Sequence, residues 1–113
     1  MTGGLAAVNA ALQAPHRFGN VVAQSSSLWW SDGPLTGEAV IAAAAANPVT
    51  ATRFWLEAGA LERGLVPGNR KLRDALAAQG YPLDYREYQG GHDFACWRGG
   101  LADGLIRVLR QDG

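Results

Sequence analysis

The chain has 113 residues, of which 48% are hydrophobic, 18% charged and 9% aromatic. A chain of this length forms about one small domain and buries roughly two-thirds of its unfolded surface, and this composition is too apolar and too weakly charged for a disordered tail. Ten Lys and Arg balance ten Asp and Glu, which leaves no basic stripe for phosphates or for an anionic membrane surface, so neither nucleic acid nor a membrane is an expected partner.

One cysteine, Cys96, excludes an internal disulfide framework and a cysteine-rich zinc site, and it fits a reducing compartment. The first residues carry no basic group ahead of an apolar stretch, so they do not form a secretory signal. The apolar run at 39–46 falls far short of the ~20 residues that span a bilayer. The expected location is the cytoplasm.

In chain order, residues 3–12 are rich in Ala and Leu, with Leu5, Val8 and Leu12 at helical spacing and Pro15 beyond the helix end. Residues 18–25 contain the uncharged run Val21-Val22-Ala23 expected of a strand covered on both faces, and Ser25-Ser26-Ser27 ends it. Residues 35–46 form the next helix, with Thr36 as its N-cap and Pro48 beyond its end. A second buried strand covers 53–59, and a helix over 68–80 carries Leu72, Leu76 and a closing glycine. Residues 83–88 alternate, as in a strand near a sheet edge. From Asp93 onward Phe94, Trp97, Leu101, Leu105 and Val108 make an apolar stripe opposed by charged residues, a final amphipathic helix weakened by glycines at 99, 100 and 104.

This alternation specifies an α/β fold with about three parallel strands and helices on both faces. The first element is a helix with no strand ahead of it, which points to the C-terminal part of a larger α/β domain. Ligands of such sheets gather at the carboxyl ends of the strands, here residues 25–30, 59–62 and 90–93.

Those segments hold hydroxyls, a carboxylate and an imidazole, the materials of a hydrolase charge relay. His92 sits in a Gly-Gly-His-Asp turn that can project its ring into a cleft, although a lone loop histidine is more often structural or simply exposed. Glu62 follows the second strand and could hold the imidazole tautomer, or be a solvated loop residue; Glu57, at the strand end, competes with it. The serines at 25–27 read as turn and cap residues rather than nucleophiles. Cys96 reads as a small buried hydrophobe beside Phe94 and Trp97, and His92, Asp93 and Cys96 alone make a poor metal site. His16 reads as a surface cation at a helix end. Trp29, Trp30, Trp55 and Trp97 serve as packing residues, as an aromatic wall for a planar ligand, or as both.

The run Gln89-Gly90-Gly91-His92-Asp93-Phe94-Ala95-Cys96-Trp97-Arg98-Gly99-Gly100-Leu101 resembles the C-terminal signature of the enterochelin esterases, siderophore-hydrolysing members of the α/β-hydrolase superfamily. Gly3-Gly4-Leu5-Ala6-Ala7, Arg17-Phe18-Gly19 through Trp29-Trp30, and Leu56-Glu57-Ala58-Gly59 with Glu62 agree in order. The resemblance implies that residues 1–113 form the C-terminal portion of such a catalytic domain. By it, His92 is the catalytic histidine and Glu62 its acidic partner, with Glu57 the substitute. Asp93, Trp97 and Arg98 shape the loop and helix behind the histidine, and Trp29 and Trp30 pack near aromatic substrate rings.

In the family the nucleophile lies in a Gly-x-Ser-x-Gly-Gly elbow. Aligning Gly3-Gly4 with its end puts Met1 at the serine, so the resemblance places the nucleophile outside this chain. The implied activity is ester hydrolysis of a ferric catecholate siderophore to release iron. No cofactor and no resident metal take part, since the iron belongs to the substrate. A general carboxylesterase and a non-catalytic fragment or interaction module are the alternatives, and the sheet edge left open by missing strands favours self-association.

Overall fold

Apolar spacing of the helical kind alternates with short apolar runs along the chain, and the computed structural model, which describes residues 2–33, 35–47 and 49–110, turns that pattern into seven elements. In order they are α1 (Thr2–Gln13), β1 (Asn20–Gln24), α2 (Gly37–Ala46), β2 (Arg53–Gly59), α3 (Val66–Gln79), β3 (Leu83–Tyr88) and α4 (Phe94–Leu109). The strands are parallel in the order β1-β2-β3, with Ala23 opposite Leu56 and Leu56 opposite Tyr85.

Strand side chains alternate between faces, and here the alternation sorts the chain into two layers. Val21, Ala23, Phe54 and Leu56 share one buried cluster with Leu5 and Val8 of α1, Val40 and Ala44 of α2, and Leu72 and Leu76 of α3. Burying each large member of this cluster contributes about 1.5–3 kcal/mol. The intervening residues Trp55 and Glu57 face α4, which packs on the other side of the sheet.

Local chemistry fixes the helix ends. Thr36 Oγ1 accepts the Ala39 N–H at 3.0 Å and caps α2, and Gly80 closes α3 with a left-handed φ of 87°. Helix α3 starts at Val66, earlier than expected, because Pro67 fits the first turn, where no backbone donor is needed. Strand β1 starts at Asn20, two residues later than expected, and ends at Gln24 because Ser25 leaves the extended conformation at φ 51°. Met1 and Pro48 lie outside the described residues.

The expected apolar stripe of α4 needs correction. Phe94, Leu101 and Leu105 are exposed, and the buried residues are Trp97, Gly100, Gly104 and Val108. The glycines read as weak points are the contact line: a Cβ at Gly104 would meet the Trp55 ring at 2.8 Å, and one at Gly100 would strike the Glu57 carboxylate. Hydrophobic periodicity alone weighs leucine above glycine and so selects the wrong face.

The helix is also clamped to the sheet by ion pairs, Arg86 with Asp103 and Arg107 with Asp84, each at 2.8 Å. Among the described residues, β1 pairs only with β2, which leaves its other edge without a strand. No described helix is long and apolar enough to cross a membrane.

Candidate active site

Strand β2 ends in a tight turn in which the Glu62 N–H bonds the Gly59 carbonyl at 2.8 Å. Two further bonds, Ala60 N–H to Tyr88 O at 2.9 Å and Leu61 N–H to Gly90 O at 3.0 Å, strap this turn to the end of β3. The strap requires glycine at 59, since a Cβ there would meet Glu62 Oε1 and the Tyr88 ring at 2.9 Å. His92 follows β3 and immediately precedes the α4 N-cap, where Asp93 Oδ1 accepts the Cys96 N–H at 2.9 Å. Trp97, one helical turn on, stands edge-on to the imidazole with ring centres 4.4 Å apart.

Two loops from different strands therefore meet at the carboxyl edge of the sheet, and His92 Nδ1 lies 2.5 Å from Glu62 Oε2. The other carboxylate oxygen, Oε1, accepts from Ser25 Oγ at 2.6 Å, the Gly59 N–H at 2.7 Å and the Tyr88 hydroxyl at 3.0 Å. Burial works to raise the Glu62 pKa, but the hydrogen bonds from Ser25, His92, Gly59 and Tyr88 outweigh it and hold the carboxyl below the usual range. The acid is nearly enclosed, with its side chain 3% exposed, whereas the imidazole is 51% exposed. An ionised, fixed carboxylate behind an accessible ring is what an acid–base relay requires.

Glu57 does not join this pair. Its carboxylate is fully buried beneath α4, where Oε1 accepts from Gln24 Nε2 at 3.0 Å and Trp55 Nε1 at 3.1 Å, and Oε2 lies 3.6 Å from Arg86. Ser25, Ser26 and Ser27 are all buried. Cys96 is only half-buried rather than enclosed, and its thiol reaches the Asp93 carboxylate at 3.3 Å. That hydrogen bond, followed by burial, pushes the thiol pKa up. Arg98 and His16 are exposed.

Trp29 and Trp30 lie in the loop after β1, with ring centres 5.8 Å apart. Trp29 is exposed and lines a groove of about 440 Å³ between α2 and α3, together with Ile41, Pro67 and Lys71. The Trp30 indole donates to the Asp32 carbonyl in its own loop at 2.8 Å. No hydrogen bond or ring contact among the described residues joins either tryptophan to His92.

Tyr88 is the site residue that sequence reasoning missed. Its hydroxyl reaches Glu62, Ser25 and the Gly91 carbonyl at 3.0–3.1 Å, and burial pushes its pKa up to about 12, which keeps it a neutral donor. The available signal was strand parity: Tyr88 shares its face with Arg86, toward α4, and ends the strand that leads to His92.

A three-stranded parallel sheet with a buried carboxylate and an open imidazole joined at its carboxyl edge defines a chain of the α/β-hydrolase kind. The Esterase family model matches residues 2–108, and the chain belongs to that family. Over 97% of its length it is 38% identical to the iron(III) enterobactin esterase of Dickeya dadantii, and over 92% it is 42% identical to that of Escherichia coli. The solved enterobactin esterase of Shigella flexneri superimposes on 94% of the chain with a TM-score of 0.81 at 40% identity. The chain spans about 28% of the length of these relatives, 28% of the Dickeya and Shigella proteins and 27% of the Escherichia protein.

Proposed function

We propose that this chain supplies the acid–base part of a serine esterase that hydrolyses the ester bonds of a ferric catecholate siderophore. The observation that carries the reading is the 2.5 Å contact of His92 Nδ1 with Glu62 Oε2, on a chain whose relatives are iron(III) enterobactin esterases. With Nδ1 engaged, the exposed ring presents Nε2 to a serine hydroxyl that this reading places outside the described residues. Nε2 takes the serine proton as the oxygen attacks the ester carbon, then returns it to the departing alkoxide, while Glu62 stabilises the imidazolium between the two transfers. Residues 1–113 would then be the C-terminal portion of the catalytic domain, acting in the cytoplasm. Trp29, beside its groove, would receive an aromatic ring of the substrate. As an isolated chain, its unpaired β1 edge favours self-association, which concentration-dependent sedimentation would register.

The test is a chimera in which residues 2–108 replace the matching segment of the Escherichia coli relative. A folded chimera should hydrolyse the catecholate trilactone faster than a simple aryl ester, and His92→Ala should lower kcat by about 10⁶-fold. Full activity in the His92→Ala chimera would overturn the proposal. Equal rates on both esters would restrict it to a general carboxylesterase.

A further inference from the structure

We infer that Ser25, Tyr88 and Trp97 are positioning residues that lock the Glu62 carboxylate in the one orientation able to serve His92. The inference deepens the proposed esterase reading and rests on it for its functional meaning. It starts from an asymmetry: Oε1 of Glu62 holds three donors, from Ser25, Gly59 and Tyr88, and Oε2 faces only His92 among its hydrogen-bond partners. A glutamate side chain turns freely about its single bonds, so nothing in its own chemistry fixes the position and plane in which an oxygen meets the ring. The donor set fixes that position and plane, because tilting or withdrawing the group would break three hydrogen bonds to an ionised acceptor.

The donors are themselves held. The Trp97 indole N–H donates to Ser25 Oγ at 2.9 Å and to the Tyr88 oxygen at 3.1 Å, which turns the lone pairs of both hydroxyls toward the indole and leaves the Ser25 proton for Glu62. Trp97 also supplies the edge-on wall for the His92 ring, so one side chain orients base and acid together. Its backbone is fixed in turn by Gln24 Nε2, which donates to the Trp97 carbonyl at 2.7 Å.

Ser25 shows that the arrangement is maintained at a cost. It adopts φ 51°, the only non-glycine residue with positive φ among those described, a left-handed conformation that side-chain-bearing residues rarely adopt. Its N–H bonds the Glu57 carbonyl at 2.8 Å, and its hydroxyl reaches Glu62 from that strained backbone. Glycine would relieve the strain and lose the hydroxyl.

The experiment uses the 113-residue chain and its Ser25→Gly and Tyr88→Phe variants, followed by NMR. The Glu62 carboxyl carbon is titrated, and the low-field proton shared by His92 Nδ1 and Glu62 is observed directly. Tyr85→Phe, on the same strand but bonded to Glu87 at 2.6 Å, is the control. The expected result is a Glu62 midpoint displaced to higher pH and a His92 proton that exchanges faster with water in both test variants, with Tyr85→Phe unchanged. Ser25→Gly separates positioning from packing, since it should fold at least as well as the parent while loosening the acid.

Unchanged midpoints and exchange in both test variants would overturn the inference, as would the same displacement in Tyr85→Phe. In the chimera, Tyr88→Phe should lower kcat by about 10-fold with KM unaltered, the equivalent of one lost hydrogen bond to a charged group. An inactive parent chimera with the NMR displacements present defeats the esterase reading alone; an active one without them defeats the positioning role alone.

Discussion

The seam between α4 and the sheet can be measured by adding one methyl group in two adjacent places. Gly99 and Gly100 both lie inside α4, so replacing either with Ala brings the same helix-propensity gain of about 1 kcal/mol. They differ in what the methyl meets. At Gly99 nothing lies within 4 Å, whereas at Gly100 it would collide with both Glu57 carboxylate oxygens and sit 2.6 Å from the carboxyl carbon. Ordinary contact begins at 3.4 Å, and Glu57, fully buried and bonded to Gln24 and Trp55, has no open side to swing toward. The helix must therefore lift by more than an ångström to restore ordinary contact, an overpacking cost of about 1–3 kcal/mol. Because the propensity gain cancels, Gly100→Ala should be less stable than Gly99→Ala by about that amount. Urea unfolding of the two variants followed by circular dichroism reads the difference through the midpoint at constant slope. Stabilities equal within about 0.5 kcal/mol would refute the close approach and with it the assignment of the buried face of α4.

Other expectations follow from the same geometry. Phe54→Ala empties the centre of the core, where the ring meets Tyr81 edge-on at 5.2 Å, and should cost about 3–5 kcal/mol in the same urea assay; a loss below about 1 kcal/mol would mean the cluster is not packed as described. The Arg70 guanidinium, and after it the Tyr85 hydroxyl, hold Glu87 down at about 2, against an ordinary value of 4.5. A pKa depressed on folding stabilises the native state above the unfolded value, and that contribution is lost as pH falls from about 4.5 toward 2. The stability gap between the parent chain and Glu87→Gln should accordingly close over that window, and a gap that widened would reverse the sign argued here. A fluorophosphonate should leave the intact mass of the chain unchanged, because Ser25, Ser26 and Ser27 are buried and Ser25 Oγ is engaged with Glu62; an adduct on any of them would identify a nucleophile within this chain.

The order of elements was legible because each carried its own punctuation: Thr36 and Gly80 mark helix ends, and Arg53–Gly59 and Leu83–Tyr88 begin and end where apolar content and alternation place them. The gathering of His92 and a carboxylate at one sheet edge was legible too, since parallel strands bring the segments after them there, but the pairing of Glu62 with the ring rests on the family resemblance. The side of α4 that packs was not, because Gly100 and Gly104 contribute by being small, which hydrophobic periodicity cannot register. Tyr88 escaped notice and Ser25 reads only as a turn or cap residue for a different reason: their importance lies in hydroxyl directions fixed by Trp97, more than sixty residues from Ser25 in sequence. Spacing does not encode such directions.

The choice between Glu57 and Glu62 turns on strand parity rather than on distance along the chain. Glu57 is the alternate residue to Leu56 on β2, so once Leu56 enters the core on one face, Glu57 must enter the layer beneath α4 on the other. There it meets Gln24, Trp55 and Arg86, partners that anchor the helix. Glu62 lies past the end of the strand, where the turn frees its side chain from that alternation and the strap to β3 delivers it to the histidine loop. The two carboxylates are nevertheless coupled, because the Gln24 amide that donates to Glu57 also holds the Trp97 carbonyl, and the Trp97 indole holds Ser25 against Glu62. One carboxylate seats the helix that carries the wall of the site; the other, held through that wall, faces the imidazole.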